Sequence, residues 1–474
     1  MRNISKSMGV FSLLLVWCGS LFGQITTGTI SGSVKDSSGA VLPGVPVSIQ
    51  NTDTGASRSA VTDSRGYYTA PNLSLGNYQI TASISGFQTE VKRGVTLNVG
   101  QNAVIDFSLQ VGAVTEQVEV TAEAPLIETT NANVSGLVNE RQVHELPLNA
   151  RNLIELAPQV AGVAFSGSGE RSASKGFATK LTIAGTRYNA SLFQLDGIDI
   201  NDTAGSAGGA AGILMGVETI REFNIISNGY SAEYGKHTGG VFNAVTKSGT
   251  NSLHGSAFEF LRNNKLDARN FFDRKTSLSD PRLPAYKRNQ FGGSLGGPVR
   301  KDRTFFFGSY EGLRERLGLT TFRLVPNLSV RQGIVPGQAA TVPIAPAVRP
   351  YLDSYPFPNT PDLNDGTAYW LKAQSFPTNE NFFTVRMDHK ISDTDSLFGR
   401  YTFDNATNAV GSTSFGSPVN TNTFNRSRAQ YLALGETRTF SPALINQFLT
   451  GFSRSNIAQS SIPVEGTEIG RAHV

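Results

Sequence analysis

The apolar positions of this chain recur mainly with a period of two, which is the period of β-strands with one buried face. In the segment NAVIDFSLQ the odd positions from Ala103 to Leu109 are apolar, and the even positions from Val104 to Gln110 face the other way. Short runs of this kind are separated by Gly, Pro, Asn and Asp, and the turns DSSG and DSRG place glycine where a positive φ is favourable. The pattern predicts a β-sandwich over residues 25–110.

The N-terminus carries the features of an export signal. Arg2 and Lys6 precede the apolar run MGVFSLLLVWCGSLFG, which ends in small residues. Residues 1–23 are therefore predicted to be a secretory signal peptide, since the run is too short to span a membrane. The single cysteine, Cys18, lies inside this segment, so the mature chain is predicted to have neither a disulfide nor a cysteine-based metal site.

A second alternation begins near residue 251. In FFTVRMDHK every second residue from Phe383 to Met387 is apolar, with Arg386 between them, and in GRYTFD the polar positions begin with Arg400. Charged residues on one face and aromatic residues on the other suit a wet lumen and a lipid-facing wall, so residues 251–474 predict transmembrane β-barrel strands. An ordinary soluble sandwich also alternates, but it does not usually combine alternation with an export signal and this aromatic density.

Charge and composition exclude several functions. The 474 residues include 41 Lys and Arg against 37 Asp and Glu, and no basic cluster is interleaved with aromatic residues, so nucleic acid is not predicted as a partner. No Ser/His/Asp set, carboxylate pair or metal-binding spacing is recognisable. The sequence therefore predicts no enzyme activity, no cofactor and no metal.

The glycine-rich stretch from Ser231 to Phe260 raises the question of a ligand site. It is not a phosphate loop, because Lys247 follows a Val-Thr pair rather than glycine. His237 and His254 have no partner at metal-ligand spacing. Upstream, an EF-hand counted from Asp199 lacks both the glycine and the glutamate that it needs. The stretch is interpreted as architecture.

A short alternating segment, Glu116 to Ala122, follows the predicted sandwich. Val118 and Val120 alternate with polar residues, and Pro125 ends the run. An extended segment of this kind can add itself to the sheet edge of a partner. The alternative is a last strand of the sandwich or a solvated linker, and this window alone favours the alternative.

Three segments in order carry a family resemblance: LPLNARNLIELAPQVAGV, LTIAGTRYNASLFQLDGIDIND and VETIREFNIISNGYSAEYGKHTGGVFNAVTKSGTN. Together they resemble the plug domain of TonB-dependent outer-membrane receptors of the Oar-like subgroup. Residues 25–110 resemble the carboxypeptidase regulatory-like domain that precedes the plug there. The resemblance implies a mainly β fold, with a transthyretin-like β-sandwich, an α+β plug over residues 111–250 and the first strands of an antiparallel outer-membrane β-barrel.

The same resemblance implies partners and a location in a Gram-negative cell. The protein would lie in the outer membrane, in contact with its lipid, with the sandwich on the periplasmic side. A TonB-type inner-membrane energy transducer would pair with a TonB box. The residues of that candidate are Glu116, Gln117, Val118, Glu119, Val120, Thr121 and Ala122.

Within the plug, the sequence predicts structural rather than chemical roles. The segment LFQLDGIDIN predicts a hairpin whose type I′ turn is Asp196-Gly197. The glycines of the opening stretch are expected to allow close backbone packing where plug meets barrel wall, around a turn from Ser248 to Asn251. The plug motif residues are Asp196, Gly197, Gly235, Gly239, Gly240 and Gly249.

Two functions remain open. The first is energy-coupled uptake of a scarce or bulky substrate, with the plug gating the barrel. The second is a non-transporting surface or adhesive β-protein that binds carbohydrate through the sandwich. At roughly ten residues per strand, residues 251–474 hold about eight to ten strands against 22 in plugged transporters, so we expect a C-terminally truncated gene product.

Overall fold

The computed structural model describes residues 27–113, 117–121, 133–148, 151–166, 180–212, 216–231, 234–268, 285–411, 421–441 and 444–463. The predicted signal peptide lies outside these residues. The described chain is mainly β, and the sandwich, the plug and an antiparallel barrel sheet follow one another in sequence. This confirms the predicted fold class.

The N-terminal domain is a sandwich of two sheets. Its strands are β1 (Gly28–Asp36), β2 (Pro46–Asn51), β3 (Ser57–Val61), β4 (Tyr67–Leu73), β5 (Gly76–Ala82), β6 (Thr89–Leu97), β7 (Asn102–Val104), β8 (Phe107–Leu109) and β9 (Gln117–Thr121). One sheet has the order β4-β1-β7, with β8 also paired to β1, and the other has the order β3-β2-β5-β6-β9. The pairs β1–β7, β1–β8 and β6–β9 are parallel.

The predicted alternation in NAVIDFSLQ is confirmed, but the segment forms two strands, β7 and β8, rather than one continuous strand. The odd positions from Ala103 to Leu109 are all buried in the sandwich core. The chain nevertheless leaves the ladder between β7 and β8, because the Asp106 carboxylate accepts hydrogen bonds from the backbone N–H and the hydroxyl of Ser33 at 2.7 and 2.8 Å. A side chain thus takes the place of a ladder carbonyl, and one predicted strand becomes two.

The plug combines a mixed sheet with short helices. Its strands are β10 (Val134–Val138), β11 (Val163–Phe165), β12 (Leu181–Ile183), β13 (Leu192–Leu195), β14 (Ile198–Asp199), β15 (Ile220–Asn228) and β16 (Val241–Thr246). Its helices are α1 (Glu140–Glu145) and the 3₁₀ segments Leu153–Gln159 and Tyr188–Ala190. The main sheet has the order β10-β15-β16-β13-β14, and β16 is buried at every position because both of its faces are covered.

The remaining strands form one antiparallel sheet in sequence order. They are β17 (His254–Asn263), β18 (Tyr286–Arg300), β19 (Thr304–Pro326), β20 (Thr367–Ser392), β21 (Asp395–Gly411), β22 (Thr421–Ser441) and β23 (Leu444–Pro463). The predicted alternation is confirmed, since Val385 is 50% exposed on the outer face whereas Thr384 and Arg400 are buried on the inner face. Polar residues therefore line the concave side, against which the plug packs.

The predicted strand length is wrong, whereas the count of eight to ten strands over residues 251–474 stays a prediction, because part of that range lies outside the described residues. The described residues form seven strands in this sheet, of which β19 has 23 residues and β20 has 26. At ~3.3 Å per residue, strands of that length far exceed the ~30 Å hydrocarbon thickness. Pairing of β19 with β20 continues to Pro326 opposite Thr367, so the hairpin projects beyond the membrane.

The two ends of the barrel sheet differ. Turns after β18 and β20 are short, at residues 301–303 and 393–394, whereas β19 and β20 are joined by residues 327–366. That long loop contains a 3₁₀ turn, Val330–Gln332, and the helix α2 (Arg349–Ser354). Buried Arg331 orders it by donating to the carbonyls of Leu352 and Tyr355 at 2.8 and 2.9 Å. Among the described helices, none is both long and apolar enough to cross a bilayer.

Candidate functional site at the plug–barrel interface

The hairpin between β13 and β14 carries the predicted type I′ turn. Asp196 has φ +47° and Gly197 has φ +77°, which are the two positive values that this turn requires. The Asp196 carboxylate accepts from the backbone N–H and the hydroxyl of Thr246 on β16, at 2.9 and 2.8 Å. These bonds hold the side chain in one orientation, with the rest of the carboxylate facing the barrel wall.

Two arginines of the barrel lumen converge on Asp196. Arg400 Nε on β21 lies 2.7 Å from Asp196 Oδ2, and Arg386 Nη1 on β20 lies 3.4 Å from Asp196 Oδ1. Arg400 also donates to the carbonyl of Leu195 at 3.0 Å, and both side chains of its ion pair are essentially fully buried. Arg386 has a second carboxylate, Asp388, at 2.8 Å. The plug turn is thereby tied to the wall by buried charges.

A second ionic contact lies around Arg151 of the plug. Its guanidinium is 2.9 Å from Glu218 of the plug and 3.7 Å from Glu311 on β19, and it stacks over the ring of Phe258 on β17 at 4.0 Å. Glu218 in turn accepts from the hydroxyl of Ser256 on β17 at 2.7 Å. Among the described residues, ion pairs therefore join plug and wall at two separate places.

The plug core is also continuous with the wall through apolar contacts. Phe382 on β20 and Ala429 and Tyr431 on β22 belong to the same buried cluster as the plug interior. The Tyr431 hydroxyl donates to the carbonyl of Ile200 at 3.3 Å. The plug therefore fits this wall in shape as well as in charge.

The sandwich docks on the plug and on the short-turn end of the barrel. Val99 N–H donates to the Glu222 carboxylate of β15 at 2.5 Å, and Arg221 donates to the carbonyl of Leu75 at 3.3 Å. Asn251 N–H donates to the carbonyl of Asp53 at 2.9 Å. A cleft of about 230 Å³ remains between sandwich, plug and barrel, and both Asp196 and Arg386 line it.

Glu222 is the titratable group at this junction. Burial raises its pKa to about 7, against the lowering effects of Arg221 and of the hydrogen bond from Val99. Glu140 on α1 acts in the same direction as burial. A carboxyl group whose charge is disfavoured therefore lies between the two domains.

The predicted glycines serve close packing, mostly inside the plug. A Cβ on Gly239 would meet the backbone of Ala190, and one on Gly240 would meet Ile183, both in the plug. Only Gly249 fits the expectation of packing against the wall, since its Cβ would collide with the carbonyl of Phe306 on β19. In the turn of Gly235, the positive φ falls on Lys236 (+78°).

The TonB-box candidate does not join this interface. Its residues Gln117–Thr121 form β9 on the edge of the sandwich, whereas Glu116 and Ala122 lie outside the described residues. The place of the segment is thus the one that the sequence alternative gave, a last strand of the sandwich. Its role in binding a partner stays a prediction.

Sequence reasoning missed Arg151, Glu218, Glu222 and Glu311 as contact residues, and it placed Arg386 and Arg400 in the lumen without partners. Nothing in the local pattern pairs residues that lie about 200 positions apart. Among the described residues no group of three or more His, Cys, Asp or Glu side chains is placed to hold a metal ion.

Three family models match the chain in the order of these domains. A carboxypeptidase regulatory-like domain matches residues 29–110, a TonB-dependent receptor plug domain matches residues 127–241, and an outer membrane beta barrel domain matches residues 245–470. This chain belongs to the TonB-dependent outer-membrane receptors. The family consists of receptors and transporters of the outer membrane, not of enzymes.

Relatives agree with that membership. The TonB-dependent transporter Oar of Myxococcus xanthus is 26% identical over 326 residues, which cover 65% of this chain and 29% of the relative. The chain thus spans under a third of that curated relative.

Solved structures similar to the chain include the outer membrane transporter YddB of Escherichia coli, with a TM-score of 0.44, 12% identity and coverage of 68% of this chain and 38% of that one. The siderophore receptor PirA of Acinetobacter baumannii has a TM-score of 0.36, 14% identity and coverage of 69% and 45%.

Proposed function

We propose that the protein acts in energy-coupled uptake across the outer membrane, with the plug as the gate of the barrel. The observation that carries the proposal is the buried contact of Asp196 with Arg386 and Arg400. Breaking one partner of a buried ion pair is costly, so such a contact keeps a plug seated until a directed force acts on it. A gate needs this kind of local, discrete hold.

The force would come from a TonB-type inner-membrane energy transducer that engages Glu116 to Ala122. Short turns of outer-membrane barrels face the periplasm. The sandwich, to which β9 belongs, lines a cleft together with Asp302, Asp393 and Thr394 in the short turns of this sheet. The candidate segment is then on the side that an inner-membrane protein reaches. The same placement counts against a surface adhesin that binds carbohydrate through the sandwich.

A substrate would first meet the opposite end. The loop of residues 327–366 lies there, ordered by Arg331, and it exposes Tyr351 and Phe357, which are 68% and 69% accessible. Long loops on a rigid scaffold commonly carry binding residues. We therefore assign the capture of a scarce or bulky substrate to this loop.

The test is a pull-down of the chain with the purified periplasmic domain of a TonB-type transducer. Val118→Pro removes a backbone N–H and is expected to abolish capture, because strand addition depends on main-chain hydrogen bonds. Val118→Ala keeps the backbone intact and serves as the matched control. Capture that is equal for both variants would argue against the TonB box at this position.

A further inference from the structure

The TonB-box candidate is held as a strand by the sandwich itself. Residues Gln117–Thr121 pair in parallel with Thr89–Arg93 of β6, in register from Thr89 opposite Gln117 to Arg93 opposite Thr121. Strand β9 is the last in its sheet, beyond β6, so among the described residues it has a neighbour on one side only. The segment that a partner would take up as a strand is already a strand.

The hold on β9 is weak for a folded strand. Val118 and Val120 remain 38% and 39% exposed. An ion pair across the strands joins Arg93 to Glu119 at 2.8 Å, with both side chains about half exposed. Exposed ion pairs of this kind contribute little to stability. Backbone hydrogen bonds to β6 therefore supply most of the attachment, and these are the bonds that another sheet edge can replace.

The apolar face of β9 is only partly buried in this position. Val118 and Val120 lie opposite Glu90 and Lys92 of β6, which are engaged with each other and with the sandwich. Glu90 accepts from Ser108 N–H, and Lys92 lies over the ring of Phe107. A partner strand with an apolar neighbour would cover the two valines better, since burying apolar surface is favourable.

We propose that the sandwich is a clasp for the TonB box, so that β6 and the transducer compete for the same five residues. This inference rests on the proposed function of Glu116 to Ala122. In the resting receptor β6 keeps the segment folded, and a transducer gains it by strand exchange. The sandwich also contacts the plug, since Val99 donates to Glu222. The domain that holds the TonB box is therefore in direct contact with the gate.

Locking the clasp tests the exchange directly. Arg93→Cys with Thr121→Cys places two thiols on directly opposed residues, in a chain whose only cysteine, Cys18, lies in the predicted signal peptide. Joining them by oxidation or with a short thiol cross-linker is expected to weaken binding of the transducer's periplasmic domain by at least about tenfold, and reduction is expected to restore it. Each single-cysteine variant is the control and should not respond to oxidation.

Loosening the clasp should act in the opposite direction. Arg93→Glu places a negative charge opposite Glu119 and so weakens the pairing of β9 with β6. Because such cross-strand pairs are worth ~0.2–1 kcal/mol, the variant is expected to bind the transducer about threefold more tightly. Arg65→Glu is the matched control, because Arg65 is an exposed sandwich arginine that pairs with Asp63 in its own turn.

The outcomes separate the two proposals. Equal transducer binding by the locked and reduced forms, with binding still lost in Val118→Pro, would overturn the clasp and leave the TonB box standing. Failure of the two thiols to join would also overturn the clasp. Absence of transducer binding to every form, including the unsubstituted chain, would overturn the proposed function and the clasp with it.

Discussion

Replacing Asp196 with asparagine tests the buried contact between plug and wall. Asn has the same shape and still accepts a hydrogen bond from Thr246 N–H, so the turn itself is preserved. The change removes the negative charge that faces Arg400, whose side chain is fully buried 2.7 Å away. Arg386 is affected less, because it keeps Asp388 at 2.8 Å.

The expected magnitude follows from the burial of Arg400. Leaving a buried charge without its partner costs ~3–5 kcal/mol. The free-energy cost of opening the β13–β16 region should fall by that amount, which raises the open population by about two to four orders of magnitude. Hydrogen exchange of the amides in Leu192–Leu195 and Val241–Thr246, measured on the chain in detergent or bilayer, reports this opening.

Two further variants make the reasoning refutable. Asp388→Asn removes a less buried carboxylate and leaves Arg386 paired with Asp196, so its effect should be clearly smaller. Adding Arg400→Met to Asp196→Asn removes both charges and should recover part of the loss. A fall of less than ~1 kcal/mol in Asp196→Asn, or equal falls in the two single variants, would show that the ion pair does not hold the plug.

Two other predictions concern the junctions around the plug. Burial raises the pKa of Glu222 to about 7, so the contribution of Glu222 to docking is full below its ordinary pKa of 4.5 and is lost as the pH rises through 7. The free energy that keeps the Val99 junction closed should therefore fall by up to ~3 kcal/mol over that window, which protease access to the junction would report. Glu222→Gln should flatten this pH profile. An unchanged slope in the variant would contradict this. Gly249→Ala should destabilise the chain by ~1–3 kcal/mol in denaturant, because its Cβ meets the Phe306 carbonyl. Gly308→Ala, whose nearest neighbour is at 3.8 Å, should be near neutral, and equal losses would refute the packing argument.

The predictable parts of the fold are those that depend on neighbouring residues in the sequence. The Asp-Gly turn at residue 196 follows from two positions that need positive φ, and the inward placement of Arg386 and Arg400 follows from the period of two along their strands. Local pattern fixes which face a residue occupies. It says nothing about which residue of another domain meets it.

The parts that were not predictable depend on distant contacts or on competing side chains. Asp196 meets Arg400 only because the plug seats inside the barrel sheet, and no period in the sequence encodes that distance. The break between β7 and β8 arises because Asp106 replaces a ladder carbonyl for Ser33. The length of β19 was missed because its pairing continues past the membrane-spanning residues to Pro326.

The arrangement of these contacts also sets the order in which a pull would act. A force on β9 first meets backbone bonds to β6 and an exposed ion pair, both of which exchange readily. It next meets the sandwich–plug junction at Glu222, where a single buried carboxyl accepts from Val99. The fully buried contact of Asp196 with Arg400 comes last and is the most costly to break singly. Under the proposed function, the hold strengthens from the edge that carries β9 towards the lumen, so a transducer that releases β9 would engage the chain without unseating the plug.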